Sequence, residues 1–470
     1  MIKKYNYIEY NNIISKYLKK NDDELINSLA ILCPINKNFF LSNKKFFLNT
    51  EKFFFLKIFF LIFKLFLKFF ILIISKRKIN LKAKKKILFL SHSNSKNEKK
   101  IKDVYFYRII KHYKIPSSKY LIKFYPQSNK FVINNSNFFN GNNLTFVDEI
   151  KIIKKILQQV LIELLKKFFI LDNFSKKIVI DLLSGNTYKN IRIALEIKNF
   201  IKLNNIKKLF ITYEGHSYEK LLCYFIKKYL PNTKIYGYQT TCMSKNQSFL
   251  VRPKDKFLPH KILLSRKTDL NFFNIYNRSI FKPIYLGKLK KNKKNINHWK
   301  LSKKTKILKI LILIDRYCEK DLNQIITFSK KLSYNKNYKI IFRAHPLFKR
   351  YFLNKFNKDK LNMYRNFYLN HSSSIKDLFL KNDVIIYSQS SFFIESFRFA
   401  IFPIYFNYSS ENYEDIFSNI KKPILNSSKK FDYLIKNFKK INKIYKFNNY
   451  LFSEKNFVFN EDKLLKKIFS

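Results

Sequence analysis

Residues 337–347 read NYKIIFRAHPL, an apolar run that passes directly into Arg343, Ala344, His345 and Pro346. A short apolar run that ends in polar and turn residues is typical of a buried strand in a parallel sheet. Polar groups that follow such a strand lie at the carboxyl edge of the sheet, where open α/β sheets bind their ligands. The stretch therefore predicts a parallel strand that ends in a ligand-binding segment.

The composition makes this cluster informative. The chain has 470 residues, of which 47% are hydrophobic, 18% are aromatic and only five are glycine, and its formal net charge is +63. This composition is typical of a genome rich in A and T, which also enriches Lys along a whole chain. The sequence contains no zinc-finger pattern and no glycine-rich phosphate loop, so we expect no nucleic-acid partner. The charge favours an anionic membrane surface or a phosphate-bearing substrate.

The cysteines indicate the compartment. Each of the four stands alone in the sequence, with no C-x-x-C pair, so neither a zinc site nor a disulfide framework is predicted. A reducing cytoplasm fits this usage. The first residues read as a polar helical start and not as a signal peptide, so we expect a cytoplasmic protein.

Strands and helices alternate on both sides of the opening stretch. KILKILILIDRY at 306–317 is a second buried strand, and DVIIYSQSS at 383–391 is a third. The first half repeats the pattern with strands in KKKILFLSHSN, YLIKFY, KKLFITYEGHS and TKIYGYQTT, and a long helix is predicted over 149–171. This order predicts parallel sheets covered by helices.

Domain boundaries follow from the same alternation. We predict an α/β protein with two Rossmann-like domains and an N-terminal helical extension. The predicted segments are an extension at 1–83, an N-terminal acceptor domain at 84–264, a linker at 265–305, and a C-terminal nucleotide-donor domain with terminal helices at 306–470.

Residues 53–74, FFFLKIFFLIFKLFLKFFILII, are long enough to cross a bilayer. Lys57, Lys64 and Lys68 oppose a span, because each lysine near a bilayer centre costs about 2.5 to 3.5 kcal/mol. Their spacing places them on one stripe of an amphipathic helix. Three interpretations remain open: a helix in the headgroup region of an anionic leaflet, a core or dimer helix, and a true span. The first predicts peripheral association with the inner face of the plasma membrane.

A second candidate site follows the third buried strand. In YSQSSFFIESF at 387–397, Ser388, Ser390 and Ser391 lie where the strand passes into a predicted helix. Hydroxyls and free backbone N–H groups at a helix start can bind phosphate without a glycine-rich loop. Glu395, one turn into this helix, is a candidate acceptor for ribose hydroxyls. The alternative is an ordinary helix cap beside a loop histidine.

The first half holds a separate cluster in YEGHSYE at 213–219. Glu214, His216 and Glu219 surround Gly215, and each of the three can accept a proton as a general base. A glycine after a strand allows a tight turn or a close approach of the backbone to a ligand. The alternative for Glu214 is a simple acidic charge at the start of a helix.

Two sets of residues resemble one known group. The RAHP at 343–346, followed by SQSSFFIESFRFAIFPI at 388–404, resembles the H-P and S-S motifs of bacterial GT-B enzymes that build surface carbohydrates. That group includes sialyltransferase-like and capsule-type transferases and the CDP-glycerol glycerophosphotransferases. The resemblance implies that His345, Pro346, Ser390 and Ser391, and more loosely Glu395, hold the nucleotide phosphate of a sugar donor.

The acceptor side carries a weaker resemblance. YEGHSYEKL and the later IYGYQ are similar to the acceptor-side segment of surface-carbohydrate transferases, where Thr240 here replaces a frequent histidine. A base at position 240 is therefore not expected. The glycine usual before the last strand of the S-S motif is also replaced, by Ala400 and Ile401.

These features predict a glycosyltransferase that moves a sugar from a nucleotide-sugar donor to a carbohydrate or lipid-linked acceptor of the polysaccharide or lipopolysaccharide type. The sequence contains no D-x-D, so we expect no metal and no cofactor other than the donor substrate. Arg316 and Arg343 are further candidates for binding the phosphate. Two alternatives stay open: a CDP-glycerol-type glycerophosphotransferase, and a non-catalytic membrane-surface protein with an eroded transferase fold.

Overall fold

The computed structural model describes part of the chain, in two compact units. The described residues are 16–18, 23–29, 54–74, 85–91, 103, 105–124, 138–139, 144–165, 173–240, 255–266, 269–270, 283–287, 307–314, 319–345, 348–388, 396, 399, 401–407, 422–444 and 463–469. The first unit comprises those between 16 and 287 together with 463–469, and the second unit comprises those between 307 and 444.

The first unit is built on a parallel sheet, with seven strands among the described residues. They are β1 Ile87–Ser91, β2 Tyr120–Phe124, β3 Phe138–Phe139, β4 Lys208–Thr212, β5 Lys234–Gln239, β6 Lys261–Leu264 and β7 Ile284–Tyr285. Their spatial order is β3-β2-β1-β4-β5-β6-β7, with every pair parallel. This is the Rossmann order, in which β2 and β3 are added on one side of β1 and the later strands on its other side, beginning with β4. We call this switch between β1 and β4 the chain reversal.

Helices pack around this sheet. In the described part of the first unit before β7 they are α1 Glu24–Asn27, α2 Phe54–Ile74, α3 Tyr107–His112, α4 Phe146–Leu165, α5 Asn173–Leu182, α6 Gly185–Leu203 and α7 Ser217–Tyr229. The buried Glu149 joins α4 to α6, because its carboxylate accepts a hydrogen bond from the Tyr188 hydroxyl at 2.6 Å and pairs with Arg192 Nε at 2.7 Å. Removal of one partner from such a buried pair is strongly destabilising, because it leaves an uncompensated charge.

The second unit repeats the architecture with six parallel strands among its described residues. They are β8 Leu308–Ile314, β9 Tyr338–Ala344, β10 Phe367–Leu369, β11 Val384–Tyr387, β12 Phe402–Phe406 and β13 Ile424–Leu425. Their order, β10-β9-β8-β11-β12-β13, is again the Rossmann order, with the reversal between β8 and β11. The helices here are α8 Glu319–Ser333, α9 Lys349–Lys358, α10 Ile375–Lys381 and α11 Ser428–Lys436.

The predicted fold class is confirmed, since both units are parallel α/β sheets of the Rossmann type. The apolar runs that predicted β1, β2, β4, β5, β8, β9, β11 and β12 all form strands. The long helix predicted over 149–171 is α4, which ends at Leu165 and is followed by α5 and α6. The predicted helix over 392–400 falls mainly outside the described residues.

The C-terminal helix corrects one predicted boundary. Helix α12, Lys463–Phe469, belongs to the first unit and not to the second, where the prediction for 306–470 had placed it. The Phe469 ring stacks on Phe210 of β4 at 5.0 Å and on Tyr113 at 4.4 Å. Lys208 Nζ donates to the carbonyl of Ile468 at 3.1 Å. Aromatic burial against the first sheet therefore outweighs sequence proximity to the second.

The predicted linker 265–305 also needs correction. Strand β7 lies within it and pairs with β6 of the first sheet. The carbonyl of Leu264 accepts the N–H groups of Leu286 at 2.9 Å and Gly287 at 3.0 Å. Gly287 has a φ of 86°, in the left-handed region that glycine occupies without strain. Residues 284–287 thus belong to the first unit, and β7 is the outermost described strand on that side of its sheet.

One glycine on β5 is required by close packing. A Cβ at Gly237 would lie 2.8 Å from Pro259 Cγ and 2.8 Å from Tyr213 Cβ. We expect Gly237→Ala to lower the free energy of unfolding of the first unit by about 1 to 3 kcal/mol, because both neighbours would have to move. Urea denaturation measures this change. Lys234→Ala, at the exposed end of the same strand, is the matched control, and equal stability of the two variants would contradict the packing argument.

Candidate functional site

The candidate site of the first unit lies where β4 ends, at the chain reversal between β1 and β4. Strand β4 stops at Thr212, and α7 begins at Ser217, so the turn spans only four residues. Gly215 adopts a φ of 83°, which a residue with a side chain would occupy only with strain. Crevices at this position of a Rossmann sheet are where ligands bind.

The carboxylate of Glu219 shapes this turn. Its Oε2 accepts the backbone N–H groups of Glu214 at 2.9 Å, Gly215 at 2.7 Å and His216 at 2.8 Å. Three successive N–H groups that converge on one oxygen form an anion-binding nest, here filled by the protein's own side chain. Glu219 is fully buried, so the turn is tied to the first residues of α7.

The protonation of Glu219 is compatible with this role. Burial raises the pKa of its carboxyl group to about 7, while the charge of His216 and the backbone N–H donors act in the opposite direction. All three backbone donors approach Oε2, so Oε1 can carry the proton without loss of the nest. Glu219, predicted as a candidate base, is therefore placed where it holds the turn, and the turn presents Glu214 and His216.

Glu214 and His216 form a half-exposed pair. Glu214 Oε2 lies 3.5 Å from His216 Nε2, and the hydroxyl of Thr240 donates to Glu214 Oε1 at 3.3 Å. The side chains retain 20% and 35% of their exposure, so a substrate hydroxyl can reach them. A carboxylate oriented by an imidazole and a hydroxyl can accept a proton from such a group.

Sequence reasoning missed two residues at this edge: Ser91, the last residue of β1, and Asp103, which follows that strand in the chain. The Ser91 hydroxyl donates to the Asp103 carboxylate, which also accepts the N–H groups of Tyr105 at 3.0 Å and Phe106 at 2.8 Å. Burial raises the pKa of Asp103. The signal in the sequence was Asp103 itself, because an aspartate just before a helix is a typical cap.

Tyr105 connects this segment to the pair at the end of β4. Burial raises the pKa of its phenol, and the negative charges of Glu214 and, less strongly, Asp103 raise it further. Tyr105 is thus a neutral hydroxyl that follows β1, the strand paired with β4, and it can donate a hydrogen bond to a ligand.

A buried cation lies further along the same edge. Arg266 lies two residues after the end of β6, and its Nη1 is 3.8 Å from the Asp269 carboxylate. Ser265 donates to the carbonyl of Thr240 at 3.4 Å, which links the ends of β5 and β6. Arg266 was not predicted as a site residue, because no motif surrounds it.

The candidate site of the second unit lies at the ends of β9, β10 and β11. His345 continues the pairing of β9 with β8, since its N–H donates to the Ile314 carbonyl at 2.7 Å, and its carbonyl accepts the Phe348 N–H at 2.8 Å. Arg343 Nη1 donates to the Ser373 carbonyl at 2.6 Å, and burial lowers its pKa. Ser388, directly after β11, is fully buried. These three predicted residues therefore share one edge.

His371 is a basic residue that the sequence did not single out. Its Nε2 is shielded from solvent and has no hydrogen-bond partner among the described residues. Burial lowers the pKa of its imidazole, and the positive charges of Lys349 and Arg343 lower it further. Arg343 at the end of β9, Lys349 at the start of α9 and His371 after β10 are thus two cations beside an imidazole, and we call these three residues the basic cluster.

The remaining predicted residues cannot be placed. Five predicted donor-site residues lie outside the described part of the chain: Arg316, Pro346, Ser390, Ser391 and Glu395. Within the part that the structure describes, no group of three or more His, Cys, Asp or Glu side chains is arranged to hold a metal ion.

Comparison with known proteins gives structural matches alone. No protein-family model matches the chain, and no curated protein sequence does. The pneumococcal O-GlcNAc transferase GtfA, in complex with UDP and GlcNAc, matches 58% of this chain at 11% identity and a TM-score of 0.36, and the chain spans 57% of that protein's length.

Two further structures cover more of the chain. Anabaena HepE, in complex with UDP and glucose, matches 82% of this chain and 97% of its own, at 10% identity and a TM-score of 0.45. The wall teichoic acid polymerase TagF matches 83% of this chain and 88% of its own, at 13% identity and a TM-score of 0.40. The class of this chain, an α/β protein with two Rossmann-like units, is defined by its own two strand orders.

The role of Glu219 can be tested through stability. We expect Glu219→Ala to lower the free energy of unfolding of the first unit by about 3 kcal/mol, because three backbone N–H groups would lose their acceptor. Glu219→Gln keeps one acceptor oxygen and should lose much less. Urea denaturation of both variants measures the difference. A Glu219→Ala variant as stable as the wild type would show that the nest does not hold the turn.

Proposed function

We propose that this protein is a metal-independent glycosyltransferase of the GT-B type, which transfers a sugar from a nucleotide-sugar donor to a surface-polysaccharide or lipopolysaccharide acceptor. The observation that carries the proposal is the Glu214–His216 pair, held by Glu219 at the chain reversal of a Rossmann sheet. A half-exposed base at such a crevice suits the deprotonation of a ligand hydroxyl.

The proposed reaction begins with the acceptor. As the acceptor oxygen attacks the anomeric carbon of the donor sugar, its proton passes to the Glu214 carboxylate. A new carbon–oxygen bond forms, and the bond between the anomeric carbon and the phosphate oxygen breaks. The electron pair of that bond leaves with the nucleoside diphosphate. His216, at 3.5 Å from Glu214, orients the carboxylate and stabilises its charge before the transfer.

Departure of the nucleotide requires positive charge near its phosphates. We assign this task to the basic cluster together with His345, since Arg343, Lys349 and His371 lie at the carboxyl edge of the second sheet. The charges of Arg343 and Lys349 support the proposal that no metal ion takes part. Ser388 and the predicted residues Arg316, Pro346, Ser390, Ser391 and Glu395 complete the proposed donor site.

His371 gives this donor site a pH signature. In the free protein, burial and two neighbouring cations hold its pKa below the usual 6.5, so the ring is neutral at pH 7. A bound phosphate would stabilise the protonated ring and raise its pKa again. Binding then takes up a proton, and affinity for the nucleotide should rise as the pH falls.

The donor site can be tested by nucleotide binding. We expect Lys349→Ala and His371→Ala each to weaken binding of the tightest ligand among CMP, CDP, GDP and UDP about tenfold to a hundredfold, the range for losing a hydrogen bond to a charged group. Titration calorimetry at pH 5.5 and pH 7.5 measures both affinity and its pH dependence, which His371→Ala should reduce.

The matched control is Lys358→Ala, which removes the same charge from the exposed far end of the same helix. Its affinity should equal that of the wild type. Equal weakening by Lys349→Ala and Lys358→Ala would indicate a general charge effect and would remove the basic cluster from the donor site. Absence of binding by all four nucleotides would overturn the proposed function itself.

The catalytic base can be tested by turnover. Glu214→Gln preserves the shape of the side chain and removes the proton acceptor, so we expect turnover of a bound nucleotide sugar to fall about a hundredfold or more. Affinity for the nucleotide should not change, because binding belongs to the second unit. Release of nucleoside diphosphate measures turnover, and Asp359→Asn is the control carboxylate. Normal turnover by Glu214→Gln would assign the base to another residue.

A further inference from the structure

Helix α2 packs on the first unit through one narrow face. Phe54, Ile58, Leu65 and Phe69 are buried, and their spacing places them on a single stripe of the helix. This stripe contacts α5 and α6. The helix is therefore docked on the folded unit, which agrees with the predicted helical extension and leaves its opposite face open.

The opposite face of α2 is aromatic and exposed. Phe55 retains 73% of its exposure, Phe59 retains 72%, and Phe60 and Phe63 retain 60% each. Leu56, Phe66, Leu67 and Phe70 are exposed beside them. A continuous apolar surface of this kind is rare on a soluble monomer and marks an interaction site.

Exposed apolar residues also lie at the start of α4, which contacts α2 through the buried stripe. The Phe69 and Phe146 rings lie 5.9 Å apart and join the C-terminal half of α2 to the start of α4. Phe146, Val147 and Ile150 are exposed there, at 53%, 55% and 44%. We call the exposed residues of both helices together the aromatic surface. Sequence analysis found only the part that lies on α2.

Lysines border the aromatic surface. Lys57 and Lys64 lie on the flank of α2, between its buried stripe and its exposed rings, and Lys151 and Lys154 are exposed on α4. Of the two acidic residues in the first turn of α4, Asp148 accepts hydrogen bonds from Thr145, and Glu149 is buried and paired with Arg192. The border of the surface is thus positively charged.

This charge pattern selects the partner. A second copy of the chain would bring lysines against lysines. A core helix is also excluded, because α2 is buried on one face only. Phosphate groups of anionic lipids neutralise the lysines while the rings enter the boundary between headgroups and acyl chains. Among the described residues no helix is long and apolar enough to cross a membrane.

We propose that the aromatic surface seats the first unit on an anionic lipid bilayer, with the rings of α2 and the start of α4 inserted into the headgroup region. The protein is then held peripherally at the inner face of the plasma membrane, where lipid-linked acceptors are accessible. Insertion depends on the rings, and its preference for anionic lipid depends on the lysines.

The test is flotation of the full chain with vesicles of phosphatidylcholine, with and without 30% phosphatidylglycerol, where that fraction is about the anionic content needed for a strong surface potential. The wild type should float with the anionic vesicles. Phe59→Ser combined with Phe63→Ser should reduce the bound fraction about tenfold or more, because two inserted rings are lost. Lys57→Glu combined with Lys64→Glu should abolish the preference for anionic lipid.

Tyr334→Ser is the matched control, since Tyr334 is 83% exposed on the second unit, and it should float like the wild type. Light scattering in solution tests whether a second copy of the chain, and not a bilayer, covers the aromatic surface. A dimer that dissociates in the double phenylalanine variant, together with no flotation of the wild type, would replace the bilayer with a second copy. Equal flotation of the wild type and the double phenylalanine variant would also overturn the proposal.

Discussion

Parallel pairing is the constraint on which both units depend. When every strand runs in the same direction, all carboxyl ends meet at one edge, and polar residues from distant parts of the chain come together there. In the first unit this brings Asp103 and Tyr105, which follow β1, to Glu214, which follows β4. In the second it brings Arg343 and His371 together. The chemistry of each edge is therefore set by strand order more than by any contiguous motif.

The turn after β4 shows how one buried side chain converts that edge into a site. Without an acceptor, the three N–H groups at 214–216 would be unsatisfied, since they follow the last paired residue of the strand. Glu219 supplies the acceptor from the first turn of α7, and its own carboxylate is removed from solvent as a result. The side-chain oxygens of Glu214 and the Nε2 atom of His216 take no part in these three hydrogen bonds, so they can face a ligand. Structural and chemical roles are thus divided among residues only five positions apart.

Sequence alone predicted the long strands and the class of fold, because runs such as that of β8 are apolar over a whole strand length. It did not predict β3, β6, β7, β10 or β13, which have two to four residues each. It found Glu214 and His216 because they adjoin a glycine, and it missed Asp103 and His371. Ser91, which donates to Asp103, lies 12 positions away in the chain, and Arg343 and Lys349 lie still further from His371, so only the fold brings these groups together.

The positions of the five glycines explain why the two edges differ. All five, Gly141, Gly185, Gly215, Gly237 and Gly287, precede the second unit, which contains none. The first unit can therefore place backbone N–H groups in a left-handed turn at Gly215. The second unit uses a lysine where it needs a left-handed residue, at Lys360 with a φ of 52°. A glycine-rich phosphate cradle is not available to it, so the donor site that we propose depends on side-chain cations. Among the described residues of that edge, Arg343 and Lys349 carry positive charge, and His371 gains it when its ring is protonated.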